Sequence, residues 1–122
     1  MLGGDDNAAS GEYALVVGGQ QNLANATSAV VLAGETNKAL SNFSAALVGY
    51  GNTADGTYAV TVGGYENTAS GEQSFVGGGL QNTASGDWSL VVGGYDNTAS
   101  GTCVLCAFVL DADVYDLSLI HI

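Results

Sequence analysis

Positive charge is almost missing from this chain: it has one lysine, Lys38, and no arginine, against twelve Asp and Glu, for a net charge of -11. Nucleic acids and anionic membrane surfaces are held by clustered Lys and Arg, so neither is expected as a partner. Phosphate could be gripped only by backbone amides. The sole histidine, His121, is the penultimate residue, and with no arginine beside it no enzymatic activity and no cofactor are expected. Two cysteines, Cys103 and Cys106, are too few for a disulfide framework. They are also too few for a zinc site, which needs about four ligands, so they read as small apolar filler. No apolar run reaches the roughly 18 residues of a membrane helix. The N-terminus lacks a basic region followed by an apolar stretch, so no signal peptide is expected, and the chain reads as the middle of something that continues upstream.

Glycine is abundant, with 19 residues, and 47% of the chain is apolar. That composition does not suit an acidic disordered tail, and 122 residues leave room for one small domain. The glycines are not scattered. Gly4, Gly19, Gly34, Gly49, Gly64, Gly79 and Gly94 are 15 residues apart, and three residues after each stands Asn7, Asn22, Asn37, Asn52, Asn67, Asn82 or Asn97. Two further on comes Ala9, Ala24, Ala39, Ala54, Ala69, Ala84 or Ala99. Seven copies run without an insertion or deletion, and such a period marks a repeat architecture.

Each copy ends in a short apolar run, such as Tyr13 to Val17 or Trp88 to Val92. Gly-rich punctuation around β-branched and aromatic segments predicts strand and turn rather than helix. A 15-residue unit is too short for a helical hairpin and fits one turn of a coil. The predicted fold is therefore all-β: a single-stranded parallel β-solenoid, or β-roll, of seven 15-residue turns over residues 3–107. Residues 108–122 do not match the repeat and read as a cap or a truncated fragment end.

Stacked turns make each repeat position a ladder with rungs ~4.8 Å apart. The glycine ladder calls for positive φ or close backbone approach. The asparagines either occupy a left-handed corner or turn their amides inward to bond the next turn. The alanines face a narrow interior, which places Thr68, Thr83, Thr98, Ser70, Ser85 and Ser100 outside. These short, interrupted hydroxyl rows are expected to be satisfied by water.

The apolar run is unusual in having two apolar faces: Leu15 and Val17 on one, Ala14 and Val16 on the other. Val60 with Val62, and Ala59 with Thr61, repeat the pattern. A strand with one wet face should alternate apolar with polar. One face must line the coil, and the other would remain as an exposed apolar stripe. Self-association of parallel copies is the economical cover, each apolar side chain so buried adding ~1.5 kcal/mol or more.

Two outer columns could carry contacts. Tyr50, Tyr65, Leu80 and Tyr95 align as an exposed rail, suited either to adhesion or to self-stacking that stiffens a corner. Glu72 and Asp87 share a column, as do Glu66 and Asp96. A cation could relieve their repulsion, but calcium-loop signatures are missing and no metal is expected.

The pattern Asn-x-Ala-x-Gly-x-x-Ser-x-x-x-Gly-Gly, seen at Asn67, Ala69, Gly71, Ser74 and Gly78 to Gly79 and again at Asn82, Ala84, Gly86, Ser89, Gly93 and Gly94, resembles the head repeats of trimeric autotransporter adhesins, the YadA-like head. The likeness covers roughly residues 3–107, with 15 residues per turn where the family usually has 14, and Ala26 and Ser41 stand where other turns have glycine. It implies a left-handed roll, a homotrimer on a bacterial outer surface, and binding to host extracellular-matrix protein, glycan, cells or surfaces, with no direct membrane contact by this segment. Two alternatives stand beside it: a structural extracellular or phage-fibre solenoid without a receptor, and a fragment of a polysaccharide-acting β-solenoid enzyme. The last would need irregular loops bearing Asp, Arg or Lys, which these repeats lack.

Overall fold

The computed structural model describes residues 3–102; Cys103, Cys106 and the 108–122 tail lie outside the described residues. The chain winds into an all-β parallel solenoid of about six turns, with no helix among the described residues. Each turn contributes two strands of two residues. The odd-numbered set is β1 (Ala8–Ala9), β3 (Leu23–Ala24), β5 (Lys38–Ala39), β7 (Thr53–Ala54), β9 (Thr68–Ala69), β11 (Thr83–Ala84) and β13 (Thr98–Ala99). The even-numbered set is β2 (Leu15–Val16), β4 (Val30–Val31), β6 (Ala45–Ala46), β8 (Val60–Thr61), β10 (Phe75–Val76) and β12 (Leu90–Val91).

The odd strands form one parallel sheet in sequence order and the even strands form a second. Every pair is in register at a spacing of 15, as in Ala9 with Ala24 and Val76 with Val91. A third line of parallel bridges runs from Asp5–Gln20 through to Leu80–Tyr95. The sheet centred on the alanine column was not separately legible as strand in the sequence. The five-residue apolar run also shortens, because its first residue belongs to a turn and its last leads into the glycine corner.

The interior is one side chain deep. Ala24, Ala39, Ala54, Ala69, Ala84 and Ala99 from one sheet are buried with Val16, Val31, Ala46, Thr61, Val76 and Val91 from the other. Among the described residues valine is the largest fully buried apolar residue. Size therefore decides which face of the apolar run turns inward. The inner positions hold Ala14, Ala29, Ser44, Ala59, Ser74 and Ser89 next to the valine column, whereas the outer positions carry Leu15, Leu32, Leu47, Phe75 and Leu90. Close-packed interiors penalise overfilling, and a leucine or phenylalanine would not fit opposite alanine here.

Left-handed backbone occurs where the sequence did not announce it. Among the described residues twelve that are not glycine have φ between 53° and 60°: Asp6, Gln21, Thr36, Glu66, Gln81 and Asp96 at one corner, and Tyr13, Ser28, Phe43, Tyr58, Gln73 and Trp88 at the other. Each costs about 1 kcal/mol relative to ordinary backbone. The compensation is a reversed hydrogen bond. Along most of each turn, N–H groups donate to the following turn, as from Thr68 to the Asn82 carbonyl at 2.8 Å. At the left-handed residues they donate to the preceding turn, as from Trp88 to the Glu72 carbonyl at 2.8 Å and from Glu66 to the Tyr50 carbonyl at 2.8 Å. The flip keeps both corners hydrogen-bonded through the stack.

Candidate functional site

The asparagine column is a buried hydrogen-bond ladder. From Asn22 to Asn97 each side chain is at most 1% exposed. Asn67 is typical: its Nδ2 donates to the Gly63 carbonyl at 2.9 Å and the Gly79 carbonyl at 3.0 Å, while its Oδ1 accepts the Asn82 N–H at 2.9 Å. Of the two geometries open to these residues, the inward amide is the one adopted, since none of them has positive φ. The glycine column stands against it. Gly79 has φ +88°, and a Cβ there would lie 2.2 Å from the Gly94 carbonyl oxygen and 2.6 Å from Asn82 Nδ2. Both reasons for glycine, positive φ and close approach, hold at that position. From Asn7 to Asn82 each side-chain amide has both its donor and its acceptor used within the stack, which presents none of them to a ligand.

The rail residues Tyr50, Tyr65, Leu80 and Tyr95 all point outward, 36–53% exposed. Their backbones are joined by the third bridge line, so they rise one per rung. Tyr50 and Tyr65 stack with ring centroids 4.9 Å apart and planes 9° from parallel. Beside them Gln81 Nε2 donates to Glu66 Oε2 at 3.0 Å. The rung spacing thus stacks the rings and leaves their edges and hydroxyls facing solvent.

A second aromatic column went unrecognised in the sequence. Tyr13, Phe43, Tyr58 and Trp88 stand at the other corner, each about half exposed or more, and Phe43 stacks on Tyr58 at 5.0 Å and 7°. Their 15-residue spacing was the available signal; it was obscured by Ser28 and Gln73 in the intervening turns. This column adjoins the outer face of the β2–β12 sheet. Together, the first, third and fifth residues of each apolar run, from Tyr13 to Val92, make eighteen positions without a single charged residue. Leu15, Leu32 and Val92 are 36–38% exposed there. The outer face of the alanine sheet is mostly polar: beside Ala8, Leu23 and Leu40 it carries Lys38, Asp55, the Thr53 to Thr98 column and Ser70, Ser85 and Ser100.

The acidic columns do not converge on a cation. Asp87 Oδ1 accepts the Glu72 backbone N–H at 3.0 Å, which uses one carboxylate to tie adjacent turns. Among the described residues no group of three or more His, Cys, Asp or Glu is placed to hold a metal ion.

No protein-family model matches the chain, and no curated protein matches it.

Proposed function

We propose that this roll is a non-enzymatic module of a cell-surface adhesin or fibre, which self-associates through its apolar flank, as a homotrimer, and makes external contacts through its tyrosine rail. The observation that carries this reading is the charge-free flank. It runs through every apolar run of a coil whose interior admits nothing larger than valine, so no part of the described chain covers it. A residue such as Leu32, 38% exposed, leaves roughly 60 Å² to be removed from water, about 1.5 kcal/mol at 25 cal/mol/Å². Repetition at every turn multiplies that gain. In a trimer such a contact is heterologous and closes by a threefold rotation, so each copy buries the same flank around the shared axis.

The rail is off this flank and stays accessible in such an assembly. Stiffness follows from the backbone ladders, and repeated tyrosine edges offer contact area at low entropic cost. The test is sedimentation of the full chain together with Val60→Asp/Val62→Asp. The parent should sediment as a trimer and the double variant as a smaller species with unchanged far-ultraviolet circular dichroism. A folded parent monomer overturns the packing argument. A binding screen against matrix proteins, glycans and cells, repeated with Tyr50, Tyr65, Leu80 and Tyr95 changed to alanine, separates adhesion from an inert spacer: binding lost in the variant supports the rail, and no binding by the parent removes it.

A further inference from the structure

Seven of the nine asparagines belong to the ladder, and the two that do not are alike in another way. Asn25 opens the tripeptide Asn25-Ala26-Thr27 and Asn42 opens Asn42-Phe43-Ser44. Both fit the acceptor pattern for N-linked sugar. No ladder asparagine does, because the residue two places on is always the inward alanine. Exposure divides them the same way: Asn25 and Asn42 are exposed, whereas the ladder from Asn22 to Asn97 is buried. So does the use of the amide. Asn25 Oδ1 accepts the Ser10 hydroxyl at 2.6 Å and Asn42 Oδ1 accepts the Thr27 N–H at 3.2 Å, and neither Nδ2 is hydrogen-bonded to another described residue.

We propose that Asn25 and Asn42 are attachment sites for N-linked sugar, supplied by a separate transferase from a glycosyl phosphate or pyrophosphate donor. In that reaction Nδ2 attacks the anomeric carbon and a C–N bond forms. The anomeric C–O bond breaks, its electron pair leaves on the phosphate oxygen, and the amide proton passes to a base of the transferase. The fold also sets the order of events. Ser44 is 1% exposed, its Oγ accepting the Ser41 N–H at 3.3 Å, and the Asn25 N–H is tied to the Ala39 carbonyl at 3.0 Å. A transferase that must reach the Ser or Thr hydroxyl of the tripeptide therefore acts before the roll closes. Afterwards both carboxamides lie at the surface, outside the apolar flank, where a sugar does not obstruct stacking of the turns. This inference does not depend on the proposed adhesive role.

The test uses the full chain from the cells that make it, cut with a glutamate-specific protease. Cleavage after Glu12, Glu35 and Glu66 puts Asn25 on 13–35 and Asn42 on 36–66. Mass spectrometry should find sugar on Asn25 and Asn42 and none on Asn22, Asn37 or Asn52. Both peptides unmodified, or sugar on a ladder asparagine, overturns the assignment. A second arm gives a purified sequon-specific N-glycosyltransferase and its sugar nucleotide either urea-unfolded or folded chain. The unfolded chain should accept two sugars, reduced to one by Thr27→Ala or Ser44→Ala, and the folded chain none. Transfer to Asn42 in the folded chain refutes the proposed order.

Discussion

Replacing Asn67 with alanine removes a hydrogen-bonding node from the middle of the roll. Its Nδ2 bonds to the Gly63 and Gly79 carbonyls and to Asn52 Oδ1 disappear, and the Asn82 N–H loses its acceptor. The Gly79 carbonyl keeps the Tyr65 N–H at 2.9 Å, and the partly exposed Gly63 can be reached by water. The Asn82 N–H is the group left without either. The buried orphan costs ~1–3 kcal/mol, and the lost amide bonds, whose acceptors keep another donor or water, add about 1 kcal/mol together, so Asn67→Ala should cost about 3 kcal/mol. Against a typical domain stability of ~5–15 kcal/mol this is large. With a urea slope of ~1.5 kcal/mol/M, the unfolding midpoint should fall by about 2 M. Asn7, on the half-buried first rung, bonds the Gly3 and Gly19 carbonyls and accepts the Asn22 N–H but lacks the bond to a preceding asparagine; water substitutes there, and Asn7→Ala should cost about 1 kcal/mol or less. Equal midpoints for the two variants would refute the ladder's energetic role. Asn67→Asp sharpens the test through pH. A carboxylate there would keep the Asn82 N–H on one oxygen, but the other would face Asn52 Oδ1 and the Gly63 and Gly79 carbonyls in a buried site, so its folded pKa would be raised above the unfolded value near ~3.9. The folded state then binds the extra proton, and the variant should regain stability relative to the parent as pH falls from ~7 toward ~4.

Orphan hydroxyls predict the opposite sign. Thr61 Oγ1 and Ser74 Oγ are buried without partners, in columns where other turns hold valine and alanine, so Thr61→Val and Ser74→Ala should each stabilise by about 1 kcal/mol, read as a rise in thermal midpoint. Glycine positions should split: Gly79→Ala should destabilise by several kcal/mol, since the Cβ meets backbone at 2.2 Å, whereas Gly93→Ala finds nothing within 4 Å and should be neutral or stabilising by ~0.5 kcal/mol. Denaturation midpoints of the pair check this directly. Loss of self-association in Val60→Asp/Val62→Asp without loss of fold, followed by sedimentation, remains the measurement for the apolar flank.

The period was legible because one geometric demand recurs at every turn. Only glycine fits at Gly79, only a side chain with both donor and acceptor serves at Asn67, and only a small residue fits at Ala69, so the columns announce themselves. The candidate rail was legible only because that period aligns Tyr50, Tyr65 and Tyr95, since its own column tolerates Asp5, Gln20, Glu35 and Leu80 as well. What escaped was the pair of left-handed columns. Glu66, Tyr58, Gln73 and Trp88 have nothing in common except an exposed side chain, and their conformation is imposed by the hydrogen bonds of the turns above and below. Local sequence preference would have placed glycine or asparagine there.

By itself, then, the sequence determined the period, the register and the residues of each ladder, because equivalent positions in a coil meet equivalent surroundings. Only the tertiary structure decided which apolar face closes inward, since Leu15 and Val16 are alike in hydropathy and differ in whether they fit opposite alanine. It alone also decided where the peptide planes reverse, because that choice belongs to bonds between turns and to no single residue.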